Sequence, residues 1–136
     1  LPPLNKEKED KEICKLIVID DMQLEKNQNR VEQFYIRGRK FGYCIAYLCQ
    51  QYYECPIVIR RNCNYMCLLK TSSAREMKMV LKECGTSKIE PEQLLNMYEE
   101  ATKTKFNPLI VHMEESDPYK RYWSGFTTSL NPDEFR

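Results

Sequence analysis

Residues 13–21 read Ile13-Cys14-Lys15-Leu16-Ile17-Val18-Ile19-Asp20-Asp21. A run of bulky aliphatic side chains of this length reads as a β-strand buried on both faces, the signature of a parallel sheet. It stops abruptly in two carboxylates. A rigid buried strand is a good mount for an acid that must hold position beside Mg²⁺, a hard cation that takes oxygen ligands. A second acid next to it is placed to accept a proton from an attacking water. A strand that merely ends in a solvated Asp-Asp turn has the same letters, so this stretch decides nothing without its neighbours.

Downstream, the polar stretch from Met22 carries intermittent apolar residues and reads as a helix up to about Arg37, stopped by Gly38. A second apolar run, 41–50, ends in Gln50 and Gln51. Pro56 marks a turn or a short irregular segment, and 63–70 is a third strand. Ser72 or Ser73 caps a helix that ends at Gly85, and Glu90-Pro91 opens another that runs to about Lys103. Residues 108–113 make a fourth strand. Strands alternating with helices predict an α/β fold, a mostly parallel sheet flanked by helices, with functional groups at the carboxyl ends of the strands. Upstream, residues 1–12 are a polar connector with the charge run KEKEDKE, and 114–136 form an aromatic-basic tail with a frayed end.

Composition sets the bounds. The chain has 136 residues, 42% of them hydrophobic, enough for one domain with a core. Lys and Arg total 21 against 20 Asp and Glu, so no global basic field marks a nucleic-acid binder. No apolar run approaches the roughly 18–20 residues of a membrane span, and the N-terminus has no apolar core of a signal peptide. The first residue is Leu rather than Met, which reads as a fragment, a processed product or an incomplete gene model. Seven cysteines, an odd number, fall at 14, 44, 49, 55, 63, 67 and 84, with no C-x-x-C spacing and one histidine, His112. That pattern argues against a zinc module and, with no secretory signal, for reduced thiols in an intracellular compartment.

Two further pieces bear on chemistry. Arg37-Gly38-Arg39-Lys40-Phe41-Gly42 places a basic cluster just before a buried strand, where an arginine can reach a neighbouring subunit's nucleotide; a solvated basic turn reads the same way. Gln50, at the tip of that strand, is an amide that can hydrogen-bond a phosphate without bringing a competing charge. In the tail, Tyr119, Tyr122, Trp123 and Phe126 interleave with Lys120 and Arg121. Such a cluster either stacks bases or packs as a terminal hairpin on the sheet, and the hairpin is the commoner case. His112 reads as structural, and Met77, Met79 and Met97 as core or helix-face residues.

LIVIDDM, then RGRKFGYCIAYLCQQYY, then IVIRRNCNYMCLLK, in that order, resembles the carboxyl half of the poxvirus-type genome-packaging ATPases. These are P-loop DNA pumps of the FtsK–HerA superfamily, with relatives in large DNA viruses and Polinton transposons. The likeness is good over 13–70 and loose over 71–113, which would make 13–113 the carboxyl-terminal part of a P-loop ATPase core. It implies that Asp20 holds Mg²⁺, Asp21 activates water and Gln50 is the sensor amide. It further implies that Arg39, or else Arg37, is a finger acting in trans, and that Arg60 and Arg61 touch phosphate or a subunit interface. The implied cofactors are Mg²⁺ and ATP. The implied partners are double-stranded DNA, further copies in a hexameric or pentameric ring, and capsid or portal components. The implied place is the virion or the host cytoplasm or nucleus. One departure is large: G-x-x-x-x-G-K-[ST], whose amides and Lys cradle the phosphates, occurs nowhere in the 136 residues. The expected fold is therefore P-loop NTPase-like but incomplete at its N-terminal side, and the expected activity alone is weak or nil. The alternative is a non-catalytic remnant or interaction module that kept the scaffold.

Overall fold

The computed structural model describes Leu1, residues 15–20 and residues 27–136. It divides into two compact units, Leu1–Asn62 and Cys63–Arg136.

In the first unit, β1 (Lys15–Asp20) and β2 (Tyr43–Leu48) pair in parallel, from Lys15 opposite Tyr43 to Asp20 opposite Leu48. A parallel pair needs a long crossover, and α1 (Asn29–Gly38) lies within it. Val31 and Phe34, three apart on one helical face, are buried, and the Phe34 ring tilts onto Tyr43 at 5.3 Å. Both glycines of the basic turn have structural work. A Cβ at Gly38 would stand 2.8 Å from Ile45 Cδ1, and Gly42 takes φ 81° to close the short 3-10 turn Arg39–Phe41. A second helix, α2 (Ile57–Asn62), brings Ile59 into a core with Ile19, Val31 and Cys55. Pro56 thus precedes a helix rather than an irregular segment, a start proline suits.

Among the described residues, the strand at 15–20 finds cover on one face. Leu16 is 67% exposed and Val18 54%, and on that same face Leu48 stands across from Asp20. The opposite face, Ile17 and Ile19 with Ile45 and Tyr47, packs into the core. Apolar letters at every position record what a strand tolerates, not how many of its faces find cover.

In the second unit, β3 (Tyr65–Leu68), β4 (Leu109–His112), β5 (Tyr122–Ser124) and β6 (Thr128–Ser129) form an antiparallel sheet in that order. This overturns the expectation of a mostly parallel, P-loop-type sheet: the larger sheet is antiparallel and the parallel one has two strands. The cause is the connection between β3 and β4. Two helices lie there, α3 (Ala74–Cys84) and α4 (Pro91–Ala101). One helix returns the chain to the start of a strand; two return it to the end, so β4 must run back against β3. β5 follows through the short α5 (Pro118–Arg121), and β6 through a hairpin at Gly125, φ 61°.

One face of this sheet packs densely. Met66, Leu68, Leu109, Val111 and Tyr122 are buried, with Val80, Cys84, Leu94 and Met97 from the two helices. Ser73 caps α3 by accepting from the amide of Glu76. A reciprocal Glu90–Gln93 capping box opens α4. The last carbonyl of α3, Cys84 O, accepts from Tyr122 Oη at 2.9 Å and from the buried Arg121 guanidinium, a cation at a helix C-terminus. The tail's end is held rather than frayed: Gln93 Nε2 donates to Pro132 O at 3.0 Å and Asn96 Nδ2 to Phe135 O at 3.2 Å.

Candidate functional site

The parallel register puts the carboxyl ends of β1 and β2 on one rim of the first unit. Asp20 closes β1 opposite Leu48, and Gln50 lies two residues beyond. Neighbouring strands lie about 5 Å apart and two residues span at most about 7 Å, so the two Cα atoms are within about 12 Å. Both residues are exposed. Asp21 lies outside the described residues. The start of α1 belongs to the same rim: Tyr47 Oη, near the end of β2, donates to Oε1 of Gln28, the residue before α1, at 3.0 Å. Burial is the largest influence on that phenol and raises its pKa, so Tyr47 stays a neutral donor at neutral pH. A helix start presents amide N–H groups and a partial positive charge toward the rim.

The basic cluster is elsewhere. Arg37 lies in the last turn of α1, and Arg39 starts the turn that leads through Gly42 into β2. Six residues of strand separate that turn from the rim, about 20 Å. No arginine side chain crosses that distance, so neither can act at its own chain's rim. Arg60 is buried in α2, its guanidinium carbon 5.2 Å from the ring centroid of Tyr52, two residues past Gln50. Arg61, next to it, is exposed. The pair flagged in the sequence thus splits between a packed cation and a solvated one. Tyr52 stands in the sequence only as one of the aromatics of the QQYY stretch and Gln28 carries no signal there, because their roles come from contacts made by residues distant in the chain.

Among the described residues no group of three or more His, Cys, Asp or Glu is arranged to hold a metal ion. Among the described residues the rim carries one exposed carboxylate, Asp20, and one amide, Gln50, and the G-x-x-x-x-G-K-[ST] pattern whose backbone cradles phosphates occurs nowhere in the 136 residues. Cys44, Cys49, Cys55, Cys63, Cys67 and Cys84 are thiols, and desolvation raises the pKa of Cys63 and Cys67, which keeps them protonated. Among the described residues no helix is long and apolar enough to cross a membrane.

The family model described as Poxvirus A32 protein matches residues 3–116. The chain belongs to the Poxvirus A32 protein family. That span takes in the rim, the basic turn and the first four strands, and stops before β5 and β6. No curated protein and no solved structure matches the chain.

Proposed function

We propose that these 136 residues act as a non-catalytic interaction module of a protein of the packaging-ATPase type, to which the poxvirus family is loosely linked. The observation that carries this reading is the one-sided sheet of the first unit. Parallel pairs are found with both faces covered, and here Leu16, Val18 and Leu48 stand exposed on the outer face. Such a surface is built to be completed by another polypeptide. Two details agree with this reading: Arg60 packs on Tyr52, and the glycines of the basic turn serve the backbone.

One observation favours a second reading, the catalytic half of a nucleotide hydrolase: Asp20 and Gln50 share a rim with the start of α1. Under it Asp20 is the metal-side carboxylate, Asp21 the base and Gln50 the sensor, with Arg39 or Arg37 delivered from a neighbouring copy in a ring around double-stranded DNA. The test is equilibrium binding of a fluorescent ATP analogue, with Mg²⁺, to the 136-residue chain. No saturable binding, and no change in Asp20→Asn, is expected for the module. Saturable binding that Asp20→Asn abolishes transfers the assignment to the hydrolase.

A further inference from the structure

The antiparallel sheet has a second face, and it is not bland. In an antiparallel ladder, residues paired across strands share a face. The pairs Tyr65–His112, Cys67–Ile110 and Ile110–Trp123 therefore line one side of the sheet, opposite the side packed on α3 and α4. Phe126, in the β5–β6 hairpin, joins them around a groove of about 540 Å³. That volume suits a small molecule or one unit of a polymer.

The lining is specific in kind. Tyr65 and His112 lie nearly parallel, with ring centroids 4.5 Å apart and 17° between planes. Trp123 is held by its own indole N–H, which donates to Lys120 O at 2.9 Å. Tyr65 is 59% exposed and Phe126 82%. Four flat π-systems stand on this face, and the one aliphatic residue among them, Ile110, is buried. Exposed rings normally cost solubility; rings already stacked and hydrogen-bonded into place are a surface for another flat ring.

Polar groups at the edge narrow the chemistry. The Lys120 ammonium lines the groove and is largely exposed, 3.8 Å from the Asp117 carboxylate, a loose surface pair. The groove's one carboxylate, Glu115, has Oε1 turned to the Asp117 amide at 2.9 Å. His112 adds a ring nitrogen able to meet the edge of a heterocycle. An aliphatic helix would leave these rings and this cation without complement. A planar base joined to a phosphate matches both.

We propose that this groove binds a phosphate-bearing nucleobase, stacked among Tyr65, Trp123 and Phe126, with Lys120 facing the phosphate. Every residue of the site lies within Cys63–Arg136. Trp123 and Phe126 fall outside the span matched by the family. Two sources share this chemistry, a single-stranded nucleic acid and a free nucleotide.

Trp123 is the sole tryptophan of the chain, so in the folded protein its fluorescence reports this groove. The 136-residue protein is titrated with oligothymidylate, thymidine monophosphate, inorganic phosphate and a duplex of the same length. Saturable quenching by oligothymidylate alone assigns a single strand; quenching by the monophosphate as well assigns a free nucleotide; either supports the site. Phe126→Ala is expected to weaken binding about tenfold, as loss of one stacking ring does, with the circular dichroism unchanged. Tyr65→Ala is expected to do the same. No quenching by any base, equal quenching by duplex or by phosphate, or unaltered affinity in Phe126→Ala overturns the proposal.

Discussion

The two units of this chain answer the same physical demand in opposite ways. In Cys63–Arg136 an antiparallel sheet puts Leu109, Val111 and Tyr122 against two amphipathic helices, and all three are fully buried. Antiparallel sheets tolerate one open face, and this one carries rings there. In Leu1–Asn62 a parallel pair has the same single cover, and its open face is aliphatic, with Leu16 and Val18 in solvent. The signals that look like chemistry, the acid-tipped strand and its amide, belong to the unit with fewer buried apolar side chains among the described residues. The difference teaches that an aliphatic strand can be completed inside its own unit or left waiting for a partner, and that letters alone do not separate the two.

The largest expected effect comes from deleting the same side chain at its most buried position. Leu109→Ala removes a side chain with no exposed surface from the middle of the second unit. The lost burial and the cavity together cost about 2–5 kcal/mol. Urea unfolding followed at Trp123 reports it, because that indole lies in the same unit. A cost below about 1 kcal/mol would mean that the second unit is not the consolidated one.

A smaller effect tests how that core is wired. Burial is the first cause that lifts the phenol pKa of both Tyr98 and Tyr122 above the ordinary value near 10. Between the unfolded and folded values the folded state keeps protons that the unfolded chain has released. This contribution is therefore complete below pH 10 and is lost as pH rises through the folded values. The urea midpoint should fall as pH rises above about 10. Tyr122→Phe should cost about 1 kcal/mol at neutral pH, since its hydroxyl donates to Cys84 O. It should also fall less steeply in alkali than the unchanged protein. An identical slope would remove Tyr122 from the account.

Much of the local structure was legible. The strands at 15–20, 43–48, 65–68 and 109–112 sit inside the apolar runs, because such runs with β-branched residues have few other conformations available. Ser73 and Gly85 bound α3, and Pro91 opens α4, because caps act over a few residues. What local signals cannot hold is direction and company. The reversal of β4 depends on counting two helices where one was enough for β2. The helix at 57–62 was hidden because Ile57, Val58 and Ile59 read as extended until Pro56 is taken as a start. Arg121 sits in a cluster that reads first as a packed hairpin, and its guanidinium donates to the carbonyls of Cys84, His112, Met113 and Glu115. Only tertiary structure brings those oxygens together. Asp20 and Gln50 were separable as strand ends, and their common rim follows from the parallel register.

The smallest expected effect is the sharpest test of the contrast. Leu16→Ala is the same chemical change as Leu109→Ala, made on the open face of the parallel pair. A side chain 67% in water loses little on truncation, so the shift should stay within about 0.5 kcal/mol, as for other surface changes. Hydrogen exchange of the β1–β2 amides measures it within the first unit. Near-identity with the unchanged protein leaves Leu16 as part of a surface that awaits a partner. A cost approaching that of Leu109→Ala would show that the face is already covered, and would remove the ground on which this unit is read as an interaction module.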